Sequence, residues 1–405
     1  MKIIKYTYKF RLNPNDEQKT LLNKHFGSVR WTFNYFLNQR KNEYLNNKKS
    51  LNYYDQAAEL TQLKKELLWL KEINSQTLQY SLKCLDMAYQ GFFNKRTQFP
   101  RFKSRKNKNS FTIPQNVRYD GTKLIVPKFL NGIEMIMERK IKGTIKHCNI
   151  SKTPTGKYFV SILTEMEYEP KIKTGLSVGI DLGIKDFLVL SNGTKIKNHR
   201  FLKHYERTLK LNQKYLSRKT KGSVRYEKQR LKVARIHEKI TNSRMDLIHK
   251  TTNDLINQFD IIYLEDLNVK GMMKNHKLSK AISDVSWGKF IDTLEYKSMW
   301  NDKQVIHIDR FFPSSKTCSK CGWINNSLYL KDREWTCHKC GNVVDRDLNA
   351  SINILNEGKR INISVGTTDY ECGDQIRPDS SGAICETLKE MERNDNVPET
   401  TTSLV

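Results

Sequence analysis

Four of the eight cysteines stand in two closely spaced pairs, Cys318/Cys321 and Cys337/Cys340, which are separated by 15 residues. A glycine follows each pair, as in zinc knuckles where the turn needs an open backbone conformation. Four thiolates at this spacing make a closed tetrahedral site with no position left for a substrate. We therefore expect one structural Zn²⁺ and a small zinc ribbon over residues 311–340, which depends on the metal to fold. Two redox pairs are the alternative interpretation, and they are uncommon in a cytosolic chain.

The overall charge indicates the class of partner. The 405-residue chain has 71 Lys and Arg against 43 Asp and Glu, a formal net charge of +28. Such an excess favours a polyanion, usually nucleic acid. No apolar run reaches the 18 or so residues of a membrane span, and no signal peptide is evident. We expect a cytoplasmic protein with no membrane partner.

The charge is distributed unevenly along the chain. Residues 366–405 contain nine acidic and three basic residues and little apolar periodicity, so we expect an acidic, disordered tail. Residues 95–108 contain seven basic residues and no acidic one. A solvated loop is one explanation of that basic segment, and contact with phosphates is the one we favour in so basic a chain.

The N-terminal half changes its hydrophobic period twice. Apolar and polar residues alternate over residues 3–12, which predicts a strand. After Asn13 and Pro14, apolar residues recur at helical spacing in three successive stripes, and residues 110–169 return to short β segments with turn signals, among them Asn131-Gly132. We predict a small β-barrel built from residues 1–14 and 110–170, with a helical insertion over residues 15–109.

The C-terminal half alternates strands with long helices. Two short strands are predicted around the polar turn at residues 183–185, and a buried strand over residues 259–267. Between them, residues 202–250 predict two helices, broken near residues 219–223 and strongly cationic. A last helix is predicted over residues 345–355.

Acidic residues stand at the ends of these elements. Asp181 follows one apolar strand, Glu265 ends another, and Asp345 and Asp347 begin the last helix. Acids so placed can converge at one edge of a sheet and hold two Mg²⁺ ions, which prefer oxygen ligands. Each acid alone is weak evidence, because an isolated Asp is commonly a turn residue or a helix cap. On physical grounds, the choices between Glu265 and Asp266 and between Asp345 and Asp347 stay open.

Several segments together resemble one known family. GIDLG, IIYLEDLNVKGM, FFPSSKTCSKCG and DRDLNASINI, at residues 179–183, 261–272, 311–322 and 345–354, are similar to the three RuvC motifs and the zinc ribbon of TnpB (OrfB) proteins. Those proteins are encoded by insertion-sequence transposons and are relatives of the type V CRISPR effectors. KYTYKFRLNPNDEQ, FPRFKSRKN, SFTIPQN and GKYFVSILTE, in the N-terminal half, resemble the same family. The resemblance covers roughly residues 1–370.

The resemblance implies an α/β multidomain fold. Residues 171–310 and 341–365 would form an RNase H-like (RuvC) nuclease domain into which the zinc ribbon is inserted. It also implies an RNA-guided, Mg²⁺-dependent DNA endonuclease, which cuts phosphodiester bonds with one RuvC-type site. Carried over to this chain, Asp181, Glu265 and Asp347 would be the catalytic metal ligands, with Asp345 in reserve.

The implied partners are a guide RNA from the transposon end and a double-stranded DNA target with a short flanking motif. The positions that correspond to flanking-motif contacts in such proteins are Tyr54, Ser75, Gln76, Gln79, Thr112 and Gln115. The basic residues expected to hold RNA or heteroduplex phosphates include Arg101, Lys103, Arg105, Arg218, Lys219 and Arg225.

Two other functions remain open at this point. One is a guided DNA-binding repressor that has lost cleavage, against which the triad of acids is complete. The other is a transposase that joins strands directly, against which no basic helix-turn-helix for transposon ends is evident. The family often has Asn-Ala-Ala in its last motif, where this chain has Ser351, and we expect that change to lie at a tolerant position that can be exposed to solvent.

Overall fold

A computed structural model describes residues 2–106, 109–329 and 332–365 of the chain. The predicted acidic tail, residues 366–405, lies outside the described residues. The N-terminal unit contains, in chain order, β1 (Lys2–Leu12), α1 (Asp16–Asn47), α2 (Tyr53–Glu66), a 3₁₀ turn (Leu68–Glu72), α3 (Ser75–Phe93), β2 (Asn109–Ile113), β3 (Arg118–Tyr119), β4 (Lys123–Val126), β5 (Phe129–Ile136), β6 (Thr144–Lys152) and β7 (Tyr158–Tyr168).

The alternation seen in the sequence produces β1. Its apolar residues Tyr8, Phe10 and Leu12 are buried on one face of the sheet, while the intervening basic residues are not. Helix α1 begins with a capping box at Asn15, and its apolar stripe packs on the same core as the strands. The predicted strand and the predicted first helix are therefore both confirmed.

The seven strands form one sheet in the order β2-β6-β7-β1-β5-β4-β3. The pairings found among the described residues leave β2 and β3 at its edges, so closure into a barrel stays a prediction. The turn predicted at Asn131-Gly132 is wrong, because both residues lie inside β5. The chain turns instead between β4 and β5, where Lys128 adopts a φ of 73°. An Asn-Gly pair favours a tight turn, but here Gly132 with a φ of 63° is accommodated within a strand.

The C-terminal unit is built around a second sheet. Its elements are β8 (Ser177–Leu182), β9 (Asp186–Leu190), β10 (Lys195–Lys197), α4 (Phe201–Ser217), α5 (Val224–Gln258), β11 (Ile261–Glu265), α6 (Val269–Met272), α7 (Ser279–Val285), α8 (Trp287–Trp300), β12 (Gln304–Ile308), β13 (Glu334–Thr336), β14 (Val343–Asp345) and α9 (Arg346–Val365).

Five of these strands form the sheet, in the order β10-β9-β8-β11-β12. Strands β8, β9 and β10 are antiparallel neighbours, whereas β11 runs parallel to both β8 and β12. Helices α5 and α8 contribute to the apolar core on one side of the sheet, and α9 packs against β8, β11 and β12. Strands β13 and β14 form a separate two-stranded ribbon just before α9. None of the helices described here is both long and apolar enough to span a bilayer.

Candidate active site

Asp181 and Glu265 lie on neighbouring strands. Strand β11 runs parallel to β8 with Leu264 paired to Ile180, so the next residue of each strand is one of the two acids. Paired positions on adjacent strands point to the same face and lie about 5 Å apart at the backbone. The two acids therefore emerge side by side where the paired segment ends.

Helix α9 covers the face that carries both acids. A Cβ atom added to Gly179 would lie 2.2 Å from the backbone oxygen of Ser351 and 2.5 Å from the backbone nitrogen of Leu355. A Cβ atom added to Gly358 would lie 2.1 Å from the ring of Tyr263. Gly179 and Tyr263 are each two residues before an acid, so they share its face of the sheet. The two glycines let the helix and the sheet come into backbone contact.

The electrostatics of Asp181 show that Glu265 and Asp347 act on it. Burial and the carboxylates of Glu265 and Asp347 raise the pKa of Asp181 from 3.8 to about 8. The cations of Arg346 and Arg333 act in the opposite direction. Burial also raises the pKa of Glu265. The nearby positive charge is thus too small to stabilise ionised Asp181, and a bound cation would stabilise it.

The structure gives different surroundings to the two aspartates at the start of α9. Asp345 caps the helix, since its Oδ1 accepts hydrogen bonds from the backbone nitrogens of Asp347 at 3.1 Å and Leu348 at 3.0 Å. Its Oδ2 also pairs with Lys195 at 2.6 Å. Asp347 instead contributes to the field at Asp181. Asp345 is therefore held in a capping role, and Asp347 is the acid coupled to the pocket.

The three acids are not drawn together tightly enough for one ion. Among residues 2–106, 109–329 and 332–365, the cysteine quartet is the only group of three or more His, Cys, Asp or Glu side chains whose ligand atoms lie close enough together to hold one metal ion. Glu265 accepts a hydrogen bond from Ser314, and Asp347 pairs with Arg333 at 3.3 Å.

The cysteine quartet has the geometry of a zinc site. The four Sγ atoms of Cys318, Cys321, Cys337 and Cys340 all lie within 4.8 Å of one another. The Sγ atoms of Cys318 and Cys340 are 3.7 Å apart, and those of Cys321 and Cys337 are 3.5 Å apart. A tetrahedron with Zn–S bonds of about 2.3 Å has edges of about 3.8 Å. The predicted ligand set therefore fits one Zn²⁺.

Both halves of the site use the same backbone turn. The nitrogens of Gly322 and Gly341 donate to the oxygens of Cys318 and Cys337, each at 2.9 Å. Both glycines have positive φ, 73° and 67°, a conformation that favours glycine over other residues. Burial opposes ionisation of Cys337, but hydrogen bonds from backbone nitrogens and from the thiols of Cys321 and Cys340 outweigh it and lower its pKa to about 7. A low thiol pKa favours the thiolate that binds zinc.

Two buried asparagines of α9, which sequence reasoning missed, attach the segment leading into the ribbon. Asn349 donates to the backbone oxygen of Thr317 at 2.7 Å, and Asn353 donates to the backbone oxygen of Ser314 at 2.7 Å. Their spacing of four residues puts both on one helix face, which is the signal that could have revealed them. The expectation that Ser351 can be exposed is wrong, because the residue is fully buried and its backbone oxygen lies against Gly179 of β8.

The positions predicted to contact a flanking DNA motif lie on α2, α3 and β2. Tyr54 is 78% exposed near the start of α2. The amide of Gln76 on α3 donates to Gln115 just beyond β2 at 2.9 Å, so the structure brings these two together. Thr112 accepts a hydrogen bond from Asn149 of β6 at 2.9 Å. Two further predicted positions are exposed at the start of α3, namely Ser75 and Gln79.

The predicted phosphate-binding cations fall into two places. One is the irregular segment after α3, and the other is the turn between α4 and α5, where Arg218, Lys219 and Arg225 are exposed. In the first place Arg101 and Arg105 are exposed, but Lys103 is not: its ammonium lies 3.8 Å from the centre of the Phe33 ring, and burial lowers its pKa. Lys103 therefore packs against α1, unlike its neighbours.

Three family models match separate parts of the chain. "Probable transposase" matches residues 161–276, "Cas12f1-like, TNB domain" matches residues 287–354, and "Helix-turn-helix domain" matches residues 1–49. The last description does not fit the structure of that segment, in which β1 is followed by the single helix α1.

Full-length relatives are also found. The chain is 38% identical over 388 residues to "Putative RNA-guided DNA endonuclease" of Streptomyces pristinaespiralis, covering 93% of both chains. It is 32% identical over 390 residues to "Putative RNA-guided DNA endonuclease InsQ" of Escherichia coli K12, covering 91% of this chain and 94% of the relative. A solved structure, a Cas12f1–sgRNA–target DNA complex, is similar to this chain with a TM-score of 0.47 and 14% sequence identity. The match covers 87% of this chain and 99% of the chain in that complex. By its sequence identity to these two full-length relatives, the chain belongs to the TnpB (OrfB) family of insertion-sequence transposons.

Proposed function

We propose that this protein is an RNA-guided DNA endonuclease in which Asp181, Glu265 and Asp347 are the catalytic acids. The observation that supports the proposal is the influence of Glu265 and Asp347 on the pKa of Asp181, at the place where β8 pairs with β11 and α9 packs against both strands. The names of two relatives that match over nearly the whole chain support the same activity.

The donor set fits magnesium better than zinc, because all three side chains offer oxygen. Magnesium, when bound, supplies activation of a water molecule and charge stabilisation for the leaving phosphodiester oxygen. Asp181 and Glu265, fixed by the sheet, would hold the ions from one side, and Asp347 from the start of α9 would hold them from the other. In the metal-free protein, Arg333 pairs with Asp347 and Ser314 donates to Glu265.

We further propose that the chain divides as its sequence indicates. The seven-stranded sheet and helices α1–α3 would bind guide RNA and the DNA flanking motif, with Gln76 and Gln115 among the contacts. The five-stranded sheet with α9 would be the RNase H-like nuclease domain. Its strand order, with three antiparallel strands followed by two parallel ones, supports that assignment. The zinc ribbon would be a structural attachment to it, held by Asn349 and Asn353.

The test uses protein purified with the RNA that accompanies it when it is expressed beside its transposon end. The complex should cut DNA that matches the guide segment of that RNA only when Mg²⁺ is present. Asp181→Ala should abolish cutting and preserve guided binding, because the change removes one carboxylate and none of the cationic surface. Intact DNA with the unaltered protein would instead favour the guided repressor, and strand-joined products without RNA would favour the transposase.

A further inference from the structure

Helix α1 carries an open depression on its outer surface. Its walls are Gly27, Arg30, Trp31, Asn34 and Tyr35, and it encloses about 460 Å³. Gly27, Trp31 and Tyr35 follow one another at intervals of four residues and so share one face of the helix. Helical side chains lean toward the N-terminus, and Gly27 and Trp31 both line the depression. We call this depression the Trp31 site.

Packing does not explain why Gly27 is a glycine. Gly27 lies within a 32-residue helix, where glycine is less stable than alanine. A Cβ atom added to it would meet nothing within 4 Å. The helix therefore gives up stability at a position where a side chain would fit. What the glycine does provide is free space beside the Trp31 ring.

The indole is held as a rigid surface. The rings of Trp31 and Tyr35 stack with centroids 4.9 Å apart and planes inclined by 22°. Trp69, in the 3₁₀ turn, meets Trp31 edge-on at 5.1 Å. Tyr35 and Trp69 remain 37% and 40% exposed. Two partly exposed rings thus flank Trp31, which is itself half-buried and packs against the N-terminal core.

Positive charge borders one side of this surface. Arg30 donates to the side chain of Asn109 at 3.5 Å, at the start of β2. Asn34 bonds the backbone of Lys103 twice, at 2.9 Å and 2.8 Å, which fastens the basic segment after α3 along the helix. The opposite side is acidic, since Tyr35 donates to Glu59 at 3.3 Å. A polyanion crossing the site would therefore run along the side of Arg30.

We propose that the Trp31 site binds an unpaired nucleobase of the guide RNA, stacked on Trp31 above Gly27, with its phosphate at Arg30. Aromatic faces beside cations are the usual means by which proteins hold single-stranded nucleic acid. Unstacked bases are offered by loops, bulges and ends of RNA, whereas the bases of a DNA duplex are stacked in pairs. The inference deepens the proposed function, because it supposes that the protein carries RNA.

The test is a fluorescence titration of the full chain with a short oligoadenylate RNA, in the absence of DNA. Trp31→Ala should weaken binding about 5- to 150-fold, the range for the loss of one stacked base. Gly27→Leu should weaken binding comparably by filling the space, even though leucine favours the helix. Trp31→Phe should keep most of the affinity. Quenching of emission should be smaller in Trp31→Phe than in the unaltered protein.

Matched controls separate the site from general effects. Tyr44→Ala removes another exposed aromatic ring from the same helix, and Gly288→Leu changes a helical glycine that also has nothing within 4 Å. Neither should alter RNA affinity. Gly27→Leu keeps the assay decisive if Trp31→Ala does not fold.

Equal RNA affinity of Gly27→Leu and the unaltered protein would overturn the Trp31 site. So would a Trp31→Ala variant that binds single-stranded DNA more weakly than the unaltered protein but binds RNA equally well. Both results would leave the proposed endonuclease standing, because guided cleavage is measured separately on the same preparations. Failure of the unaltered protein to bind any RNA would overturn the proposed function together with the site.

Discussion

Backbone contact between α9 and the sheet makes Gly179 a sensitive position outside the acids themselves. In Gly179→Ala the new Cβ would lie 2.2 Å from the backbone oxygen of Ser351, whereas ordinary contact begins at 3.4 Å. The obstacle is backbone, so the start of α9 must retreat by about 1 Å. Overpacking of this kind costs about 1–3 kcal/mol of unfolding free energy. A displacement of about 1 Å at a reacting centre costs about 10²-fold in rate.

We therefore expect Gly179→Ala to slow single-turnover cleavage of guide-matched DNA about 100-fold at saturating Mg²⁺. RNA affinity should be unchanged, because the substitution removes no charged side chain. Gly288→Ala is the matched control: nothing lies within 4 Å of its Cβ, and it should raise stability by about 0.5–1 kcal/mol without changing the rate. Thermal unfolding and cleavage are measured on both. Wild-type rate and wild-type melting temperature for Gly179→Ala would refute the account of how α9 is docked.

Three further predictions concern charge and metal. The pKa of Asp181 is about 8 in the folded, metal-free protein and about 3.8 when unfolded, so the folded state binds its proton more tightly and stability falls as the pH rises from about 4 through 8. Asp181→Asn should abolish that fall in melting curves recorded without Mg²⁺, and an unchanged slope would contradict the raised pKa of Asp181. Asp347→Ala should abolish cleavage, whereas Asp345→Ala should cost about 0.5–2 kcal/mol through the lost cap and retain cleavage; the reverse ranking in a cleavage assay would exchange their roles. Cys337→Ser should release Zn²⁺ and lower the melting temperature, as measured by a colorimetric zinc assay beside calorimetry, while full zinc content would exclude Cys337 as a ligand.

Local patterns in the sequence predict the elements that carry the site. The alternation over residues 3–12 predicts β1, and apolar runs that end on acids predict β8 and β11. These patterns depend on whether one or both faces of a strand are buried, and they can be recognised within a single segment of the sequence. The cysteine spacing is local in the same sense, and the four Sγ atoms do meet.

Features that depend on two distant segments were not predictable in the same way. Asp345 and Asp347 are indistinguishable as helix-start acids, and only the position of Lys195 and of the sheet separates the cap from the pocket. Arg333, just before β13, also pairs with Asp347 of α9, and no pattern in the sequence predicts that contact. The turn expected at Asn131-Gly132 was wrong because a local pattern was overridden by a contact with another segment. Pairing with β4 keeps this dipeptide within strand β5.

Central to this account is the claim that Asp181, Glu265 and Asp347 hold the catalytic ions. Crystals of the complex with guide RNA and uncleavable DNA, grown with Mn²⁺ in place of Mg²⁺, would test it by anomalous diffraction. Zinc at the cysteine quartet supplies an internal positive control in the same crystal. We predict manganese peaks bound by oxygens of all three acids. A map with strong zinc signal and no manganese between these residues, or with manganese bound elsewhere in the DNA path, would contradict the claim.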